Sequence, residues 1–587
     1  MSPRLAAVAL AALACSAART PAEPQLSAPP AERSAEPAPA GTPAPPTHDL
    51  PPPLPPPALA AEPRPSVESI PGDPLELVWG HRLDFSGGAP LVTIRLLEGQ
   101  DEISFAPRGP ARLEPRGGDP VAVAPGAPLR ARIRGARPAT LSYQPLLAQL
   151  EARDRTGLER ARGAWEARGV RTRVHAAGGI YGIAGRVIDN RRSLLLAEGE
   201  WTEESARAFA AEAFERWGER LEVQAEVVER PTGAVEVMGP DGSVLATGDA
   251  VTVLQTPGGE GFTVDRVERD AAGRGAGARA YRGRLLLAVD SAGKIAAVSA
   301  LELEELLRGL VPSEMPAGSP PEALKAQAVT ARSNVLAQIG TRHLADPWVL
   351  CSDVHCQAYR GEVAHAAATD AAVRATAGEA LFGARDHRLV DGVYSAMCGG
   401  HGEDNEAVWG NAPDESLRGR PDLPPAAAAA WAGGLASEAR LRSFLDEAPP
   451  AWCARAPGAR PDRYRWERRL SAADLDGMVA PLGVGHVRTL SVDERGASGR
   501  ARTLRVAGDR GSAAVQGELR IRRLLGNLPS AMFLVGRDGG TWVLRGGGWG
   551  HGAGMCQWGA IGRAAAGQDY RQILRAYFSG AEVARIY

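Results

Sequence analysis

The chain has 587 residues, with 67 Lys and Arg against 69 Asp and Glu, and a formal net charge of −2 makes no case for a nucleic-acid partner. With 44% hydrophobic and 23% charged residues it has the balance of ordinary globular protein and room for several domains. Six cysteines in so long a chain do not make a disulfide scaffold, so their positions matter more than their number.

Residues 1–18 read as an export signal: Arg4 gives a short positive start, Leu5 to Ala14 an apolar stretch, and small residues follow. The apolar stretch is too short to span a bilayer comfortably. The run ALAC at 12–15 resembles a lipoprotein processing site with Cys15 as the lipidated residue, although Ala12 stands where such sites usually carry leucine. Cleavage by an ordinary signal peptidase is the alternative. Both readings put the protein outside the cytoplasm, periplasmic or extracytoplasmic, and the first anchors it to the membrane as a lipoprotein. Residues 19–70 are rich in proline, alanine and glutamate and read as a disordered spacer.

Residues 71–140 show short β-like runs, such as LVTIRLL and ARLEP, between Gly and Pro turns, and are expected to form a small β-rich unit. From 141 to 235 the predicted order is βαββαβ: LSYQPLL, a helix from Gly157 to Arg168, VRTRVHA, IYGIAGRVI, a helix over SARAFAAEAFERWG, and LEVQAEVV. That order resembles the SPOR domains, which bind peptide-stripped glycan strands. Residues 236–279 read as a β-rich connector. Residues 280–587 read as a mixed α+β domain interrupted at 411–470 by an Ala- and Pro-rich insertion on the surface. VRTLSVDERG, RTLRVAG and TWVLRGGG follow as strands, and an amphipathic helix runs from Tyr570 to Ser579.

Within that domain, Leu301 to Gly340 predicts two helices joined by a stiff loop. Leu303, Leu306, Leu307 and Leu310 share one side of the first helix. The second has Ser319 as N-cap, Pro320 at its first position, Glu322 three residues after the cap and Gly340 as its stop. Pro312 and Pro316 restrict the backbone around Glu314, expected at the loop's centre. A carboxylate held this way loses little entropy when it acts on a ligand.

LEELLRGLVPSEMP followed by PPEALKAQAVTARS resembles the core of the SpoIID family of bacterial cell-wall remodelling proteins. HCQAYRG at 355–361, CGGHGED at 398–404 and GGGWGHGAGMCQWGA at 546–560 follow in the family's order. The match covers roughly residues 280 to 587. It implies a mixed α+β multi-domain protein whose SpoIID-like catalytic domain follows small β-rich and SPOR-like units. The implied activity is that of a lytic transglycosylase on peptidoglycan glycan, with Glu314 as general acid and 1,6-anhydro ends on the product. It also implies a preference for peptide-stripped strands. Gln327, Arg332, Gln357, His551, Gln557 and Trp558 on the matching motifs, and Ser395 three residues before CGGHGED, are the substrate-binding candidates, with Trp549 as an alternative stacking ring. The alternative, from the amidase-enhancer branch, is a non-catalytic glycan-binding activator of a cell-wall amidase. The family usually has serine where this chain has Cys556.

His343, Cys351, His355 and Cys356 offer two imidazoles and two thiols within one short loop, a set that suits one tetrahedral structural zinc. Some members of the family carry zinc in this region. Cys398 or His401 are alternative ligands, and a Cys351–Cys398 or Cys356–Cys398 disulfide is the alternative to a metal. No cofactor is expected in the chemistry itself, since nothing here resembles the helical H-E-x-x-H of a zinc hydrolase.

Overall fold

A computed structural model of the chain describes residues 72–86, 88–183, 186–217, 219, 221–267, 277–353, 355–410 and 412–587. The expected export signal, Cys15 and the 19–70 spacer lie outside the described residues.

The runs read as separate β units at 71–140 and 236–279 share two antiparallel-rich sheets. In the larger sheet, Ala89–Gln100 pairs with Ile295–Glu302, then come Arg284–Val289, Val251–Gln255 and Ala111–Pro115. In the other, Thr232–Met238 pairs with Leu129–Arg137, and Glu102–Pro107 with Phe262–Val267. The boundary expectation is corrected for a physical reason: neither half satisfies its strand edges alone. Arg284–Val289 is buried at every position, which marks a strand covered on both faces.

Residues 140–229 are inserted into this body. Their four-stranded sheet has the order Glu222–Glu229, Thr140–Glu151, Arg192–Ala197, Thr172–Ala177, all antiparallel, with helices Arg155–Glu166 and Glu203–Trp217. The IYGIAGRVI run is a hairpin of Ile180–Ile183 and Arg186–Asp189 rather than one strand.

The strand Ile295–Glu302 runs directly into the helix Leu303–Glu314, whose Leu303, Leu306, Leu307, Leu310 and Val311 are buried. Pro312 lies inside its last turn, and the Met315 N–H closes on the Val311 carbonyl at 2.9 Å. Glu314 therefore ends a helix and does not sit at the centre of a loop. The next helix, Pro321–Gln338, starts one residue later than predicted: Pro320 is the N-cap and Pro321 takes the first position. Ser319 instead donates its N–H to the Pro316 carbonyl at 2.9 Å. Glu322 pairs with Lys325 at 2.7 Å and accepts the Tyr570 N–H at 2.9 Å. Gly340, at φ +68°, follows as the predicted stop.

This second helix is buried almost all round rather than along one stripe, from Ala323 and Leu324 to Ala337 and Gln338, Lys325 excepted. The helices Leu303–Glu314, Ala367–Ala375, Gln557–Ala565 and Tyr570–Tyr577 and the strand Glu379–Gly383 all pack on it. Its polar residues are consequently spent on internal partners. Ser333 Oγ accepts the Leu381 N–H at 2.8 Å, and Asn334 Nδ2 donates to Asp391 at 2.7 Å.

The 411–470 insertion is not confined to the surface. Trp431, Leu435, Leu441, Phe444, Cys453 and Tyr464 form a buried cluster together with Met397, Cys398 and Cys556. Its end, Arg465–Leu470, is a strand beside Thr541–Gly547. Val487–Arg495 and Ala501–Gly508 are strands as predicted, and Tyr570–Tyr577 is a helix closed by an Asp569–Gln572 capping box. No helix among the described residues is long and apolar enough to cross a membrane.

Candidate active site

Glu314 is largely buried where three distant segments meet the end of its helix. Its Oε1 accepts the Ala358 N–H at 2.7 Å. Gln557 Nε2 lies 3.5 Å from Oε2, donates to the Glu314 carbonyl at 3.2 Å and approaches Gln327 Oε1 at 3.4 Å. Tyr394 donates its hydroxyl to Gln357 Oε1 at 3.0 Å and stands within hydrogen-bonding reach of the Glu314 carboxyl. Burial pushes the carboxyl above its usual range. The Ala358 N–H, Gln557, Tyr394 and the Arg360 charge work against that and do not cancel it. The result is a carboxylic acid that holds its proton longer than a surface glutamate and whose carboxylate still has donors in place.

Of the substrate-binding candidates, Gln327, Gln357 and Gln557 belong to this network. Arg332 does not. It is fully buried, its guanidinium grips Glu304 at 2.8 and 2.7 Å, and it donates to the Glu379 carbonyl at 2.8 Å. Ser395 Oγ accepts the Gly552 N–H at 3.2 Å and so pins the glycine-rich stretch. His551 has both ring nitrogens engaged: Nε2 faces the Tyr394 carbonyl at 2.8 Å, and Nδ1 accepts the Ala553 N–H at 3.2 Å. Burial pushes its pKa down to about 4, so it is a neutral imidazole holding backbone rather than a free sugar ligand. Trp558 is packed between two hydrophobic clusters. The exposed rings are Trp549, 39% exposed with the Arg463 guanidinium 4.5 Å from its centroid, and Trp409, 42% exposed and 5.1 Å from the His551 ring.

The glycines of the 546–560 stretch are needed for shape. Gly548, Gly550, Gly552 and Gly554 all have positive φ. A Cβ on Gly554 would stand 2.0 Å from the Val393 carbonyl oxygen. Met555–Cys556 can then run parallel to Tyr394–Ser395, which sets Gln557 and Tyr394 side by side at the acid. Tyr394 was not singled out by the sequence. Its signal was its place four residues before the CGGHGED motif.

The ligand atoms of His343, Cys351, His355 and Cys356 lie within 4.8 Å of one another. His343 Nε2 is 3.2 Å from Cys356 Sγ, and His355 Nδ1 is 3.6 Å from Cys351 Sγ and 3.7 Å from Cys356 Sγ. His343 Nδ1 is held by Asp346 at 2.9 Å, which fixes the ring with Nε2 toward the group. The donor set and its spacing fit a tetrahedral metal. Cys398 and His401 are not part of it: Cys398 groups with Asp422, Cys453 and Cys556, and His401 Nδ1 faces the Gly402 carbonyl at 2.7 Å. Cys351, Cys356 and Cys398 are all free thiols, so neither considered disulfide forms.

Comparison with known proteins adds five findings. A model of the Stage II sporulation protein family, SpoIID, matches residues 291–382, and one for a domain of unknown function, DUF8618, matches residues 403–554. An uncharacterized protein of Brachyspira hyodysenteriae is 25% identical over 291 residues, 49% of this chain and 67% of that one. The amidase enhancer of Bacillus subtilis is 27% identical over 290 residues, which are 47% of this chain and 39% of that protein. Stage II sporulation protein D of Bacillus amyloliquefaciens is 25% identical over 302 residues, 49% of this chain and 75% of that protein.

Proposed function

The chain belongs to the SpoIID family, and on that premise we propose that it is a peptidoglycan lytic transglycosylase that cleaves the MurNAc–GlcNAc bond of peptide-stripped glycan strands. The observation that carries this reading is the Glu314 carboxyl, desolvated at a helix end yet held by the Ala358 N–H at 2.7 Å. Breaking a glycosidic bond needs a proton on the leaving oxygen while positive charge grows at the anomeric carbon. With Oε1 engaged by Ala358, the proton is carried on Oε2, beside the Gln557 amide. Once the proton is given up, Ala358, Gln557 and Tyr394 stabilise the carboxylate. That carboxylate then takes the proton of the sugar's 6-hydroxyl as it attacks the anomeric carbon and leaves a 1,6-anhydroMurNAc end.

A zinc bound by His343, Cys351, His355 and Cys356 would be structural, because four protein ligands leave no open position. It would brace the loop that carries Gln357 and the Ala358 N–H. The protein would act outside the cytoplasm on glycan strands, tethered through Cys15 and its spacer. A second reading, a non-catalytic glycan-binding activator of a cell-wall amidase, is supported by the likeness to the amidase enhancer.

The test is to incubate the protein and its Glu314→Gln variant with peptide-stripped glycan and read the products by mass spectrometry. Anhydro ends from the wild type alone support the enzyme. No cleavage by folded wild type, with amidase stimulation intact in the variant, supports the activator.

A further inference from the structure

Four buried side chains from four separate segments converge outside the acid's own network. They are Cys398 in the CGGHGED motif, Asp422 ahead of the inserted helices, Cys453 in the helix Trp452–Arg455, and Cys556 at the cap of Gln557–Ala565. Their ligand atoms all lie within 4.8 Å of one another. Cys398 Sγ stands 3.8 Å from Cys453 Sγ and 3.3 Å from Asp422 Oδ2. Zinc–sulfur bonds of about 2.3 Å at tetrahedral angles put two sulfurs about 3.8 Å apart, and a carboxylate oxygen about 2.0 Å from the metal falls about 3.5 Å from a sulfur. These two spacings are close to those of a tetrahedral site, and the remaining pairs fall within 4.8 Å. A disulfide would draw two sulfurs to about 2.0 Å and leave the third thiol and the carboxylate without a role.

The surroundings are those of a ligand set. Backbone N–H groups point at the sulfurs: Gly400 at Cys398 Sγ, 3.3 Å, and Cys398 and Gly559 at Cys556 Sγ, 3.1 and 3.2 Å. Asp422 Oδ1 is taken by Arg563 at 3.1 and 2.8 Å, and Tyr577 donates to Oδ2 at 3.0 Å, which orients the carboxylate. At Gly559 a Cβ would meet Tyr577 Oη at 2.1 Å and Asp422 Oδ2 at 2.4 Å, so only glycine leaves the arrangement its room.

We propose that Cys398, Asp422, Cys453 and Cys556 bind one tetrahedral Zn2+, a second metal site separate from the His343 group. Binding exchanges three thiol protons, released to solvent, for one divalent ion. Three thiolates, one carboxylate and the ion leave the site at −2, a charge that Arg563 and the three N–H donors offset. The site is a staple. It ties the inserted segment to the residue before Gln557, as the His343 group ties down the residue before Gln357, so each metal braces one glutamine of the acid's network.

The test is zinc content, and it does not depend on activity. The full chain is purified under reduction, loaded with Zn2+ and desalted, and metal is counted per chain. Cys453→Ser is expected to hold one zinc fewer than the wild type. The Cys351→Ser/Cys356→Ser double variant, which leaves the proposed site intact, is expected to keep one zinc, with X-ray absorption showing three sulfurs at about 2.3 Å and one oxygen at about 2.0 Å. An unchanged zinc count in Cys453→Ser, no zinc in the folded double variant, or a Cys398–Cys453 disulfide in a non-reduced digest of the untreated chain overturns the proposal. Should Cys453→Ser fail to fold, the double variant decides.

Discussion

Arg332 offers the sharpest test of how the catalytic-like domain is held together. It has no exposure, and its guanidinium makes two bonds to Glu304 and one to the Glu379 carbonyl. Arg332→Met keeps most of the aliphatic stem and removes the charge. Breaking a buried pair by removing one partner costs about 3–5 kcal/mol, because the other charge stays behind unpaired. Glu304 keeps the Tyr587 hydroxyl at 2.5 Å and the Gly378 N–H at 3.2 Å, and its side chain is 24% exposed, so the lower end applies. The expected loss is about 3 kcal/mol, some two orders of magnitude in the folding equilibrium. Equilibrium urea unfolding reads it as a lower midpoint at unchanged slope. Adding Glu304→Leu should recover part of the loss, since the orphaned charge is gone and the two sites are coupled. A loss under about 1 kcal/mol, together with weakened glycan binding, would refute the structural role and return Arg332 to the substrate.

Three further outcomes follow from the same geometry. Glu314, raised by burial, binds its proton in the folded state at a pH where the unfolded chain has lost it, so its contribution to stability is full below the unfolded value of about 4.5 and is lost as pH rises through the raised one; Glu314→Gln should therefore be the more stable protein at pH 7 in thermal melts, by a margin that vanishes toward pH 4. Tyr394→Phe removes the hydroxyl shared by Gln357 and Glu314 and should lower kcat of the proposed anhydro-product formation by about tenfold, the worth of one hydrogen bond to a developing charge, with stability in melts lowered by about 1–3 kcal/mol for the Gln357 oxygen left without its donor. Gly554→Ala, at φ +67° with a Cβ 2.0 Å from the Val393 oxygen, should cost more than about 3 kcal/mol in urea unfolding, whereas Gly567→Ala, at φ +87° with open space, should cost about 1 kcal/mol.

What the sequence made legible was local. Leu303, Leu306, Leu307 and Leu310 carried the first helix by spacing, and His343, Cys351, His355 and Cys356 lie within fourteen residues, so their convergence needs no long-range packing. The rest was set by partners that no periodicity names. LVTIRLL reads as a strand, but that it pairs with Ile295–Glu302, some two hundred residues on, is decided by which apolar face covers which. Gln327 and Arg332 are both polar residues on one helix. One meets Gln557 and the other Glu304 only because the helix is enclosed on all sides, so that each polar residue is spent on whatever lies opposite. Pro312 argued for a loop because proline lacks an N–H, yet in a last helical turn one missing bond is tolerated while the helix runs on to Glu314. Cys453 sits in an alanine-rich stretch without a motif, and nothing in its own neighbourhood points to Cys398 or Cys556.

That enclosure also explains why residues 403–554 belong to the site's frame. The CGGHGED and glycine-rich stretches carry their backbone through tight positive-φ turns, which leave carbonyls that no helix or sheet ladder takes up. Arg500, fully buried, answers them. It donates to the Cys398 carbonyl at 3.1 Å and the Ser498 hydroxyl at 2.8 Å, and reaches the carbonyls of His401 and Gly550 at 3.4 Å each. Glu403 closes the circuit by accepting the Ser498 hydroxyl at 2.6 Å. Each orphaned buried acceptor would cost about 1–3 kcal/mol, so the two motifs could not keep these turns without the arginine. Since Met555–Cys556 is registered on Tyr394–Ser395 by the same turns, the position of Gln557 against Glu314 depends on a residue that lies outside every motif and touches no part of the acid.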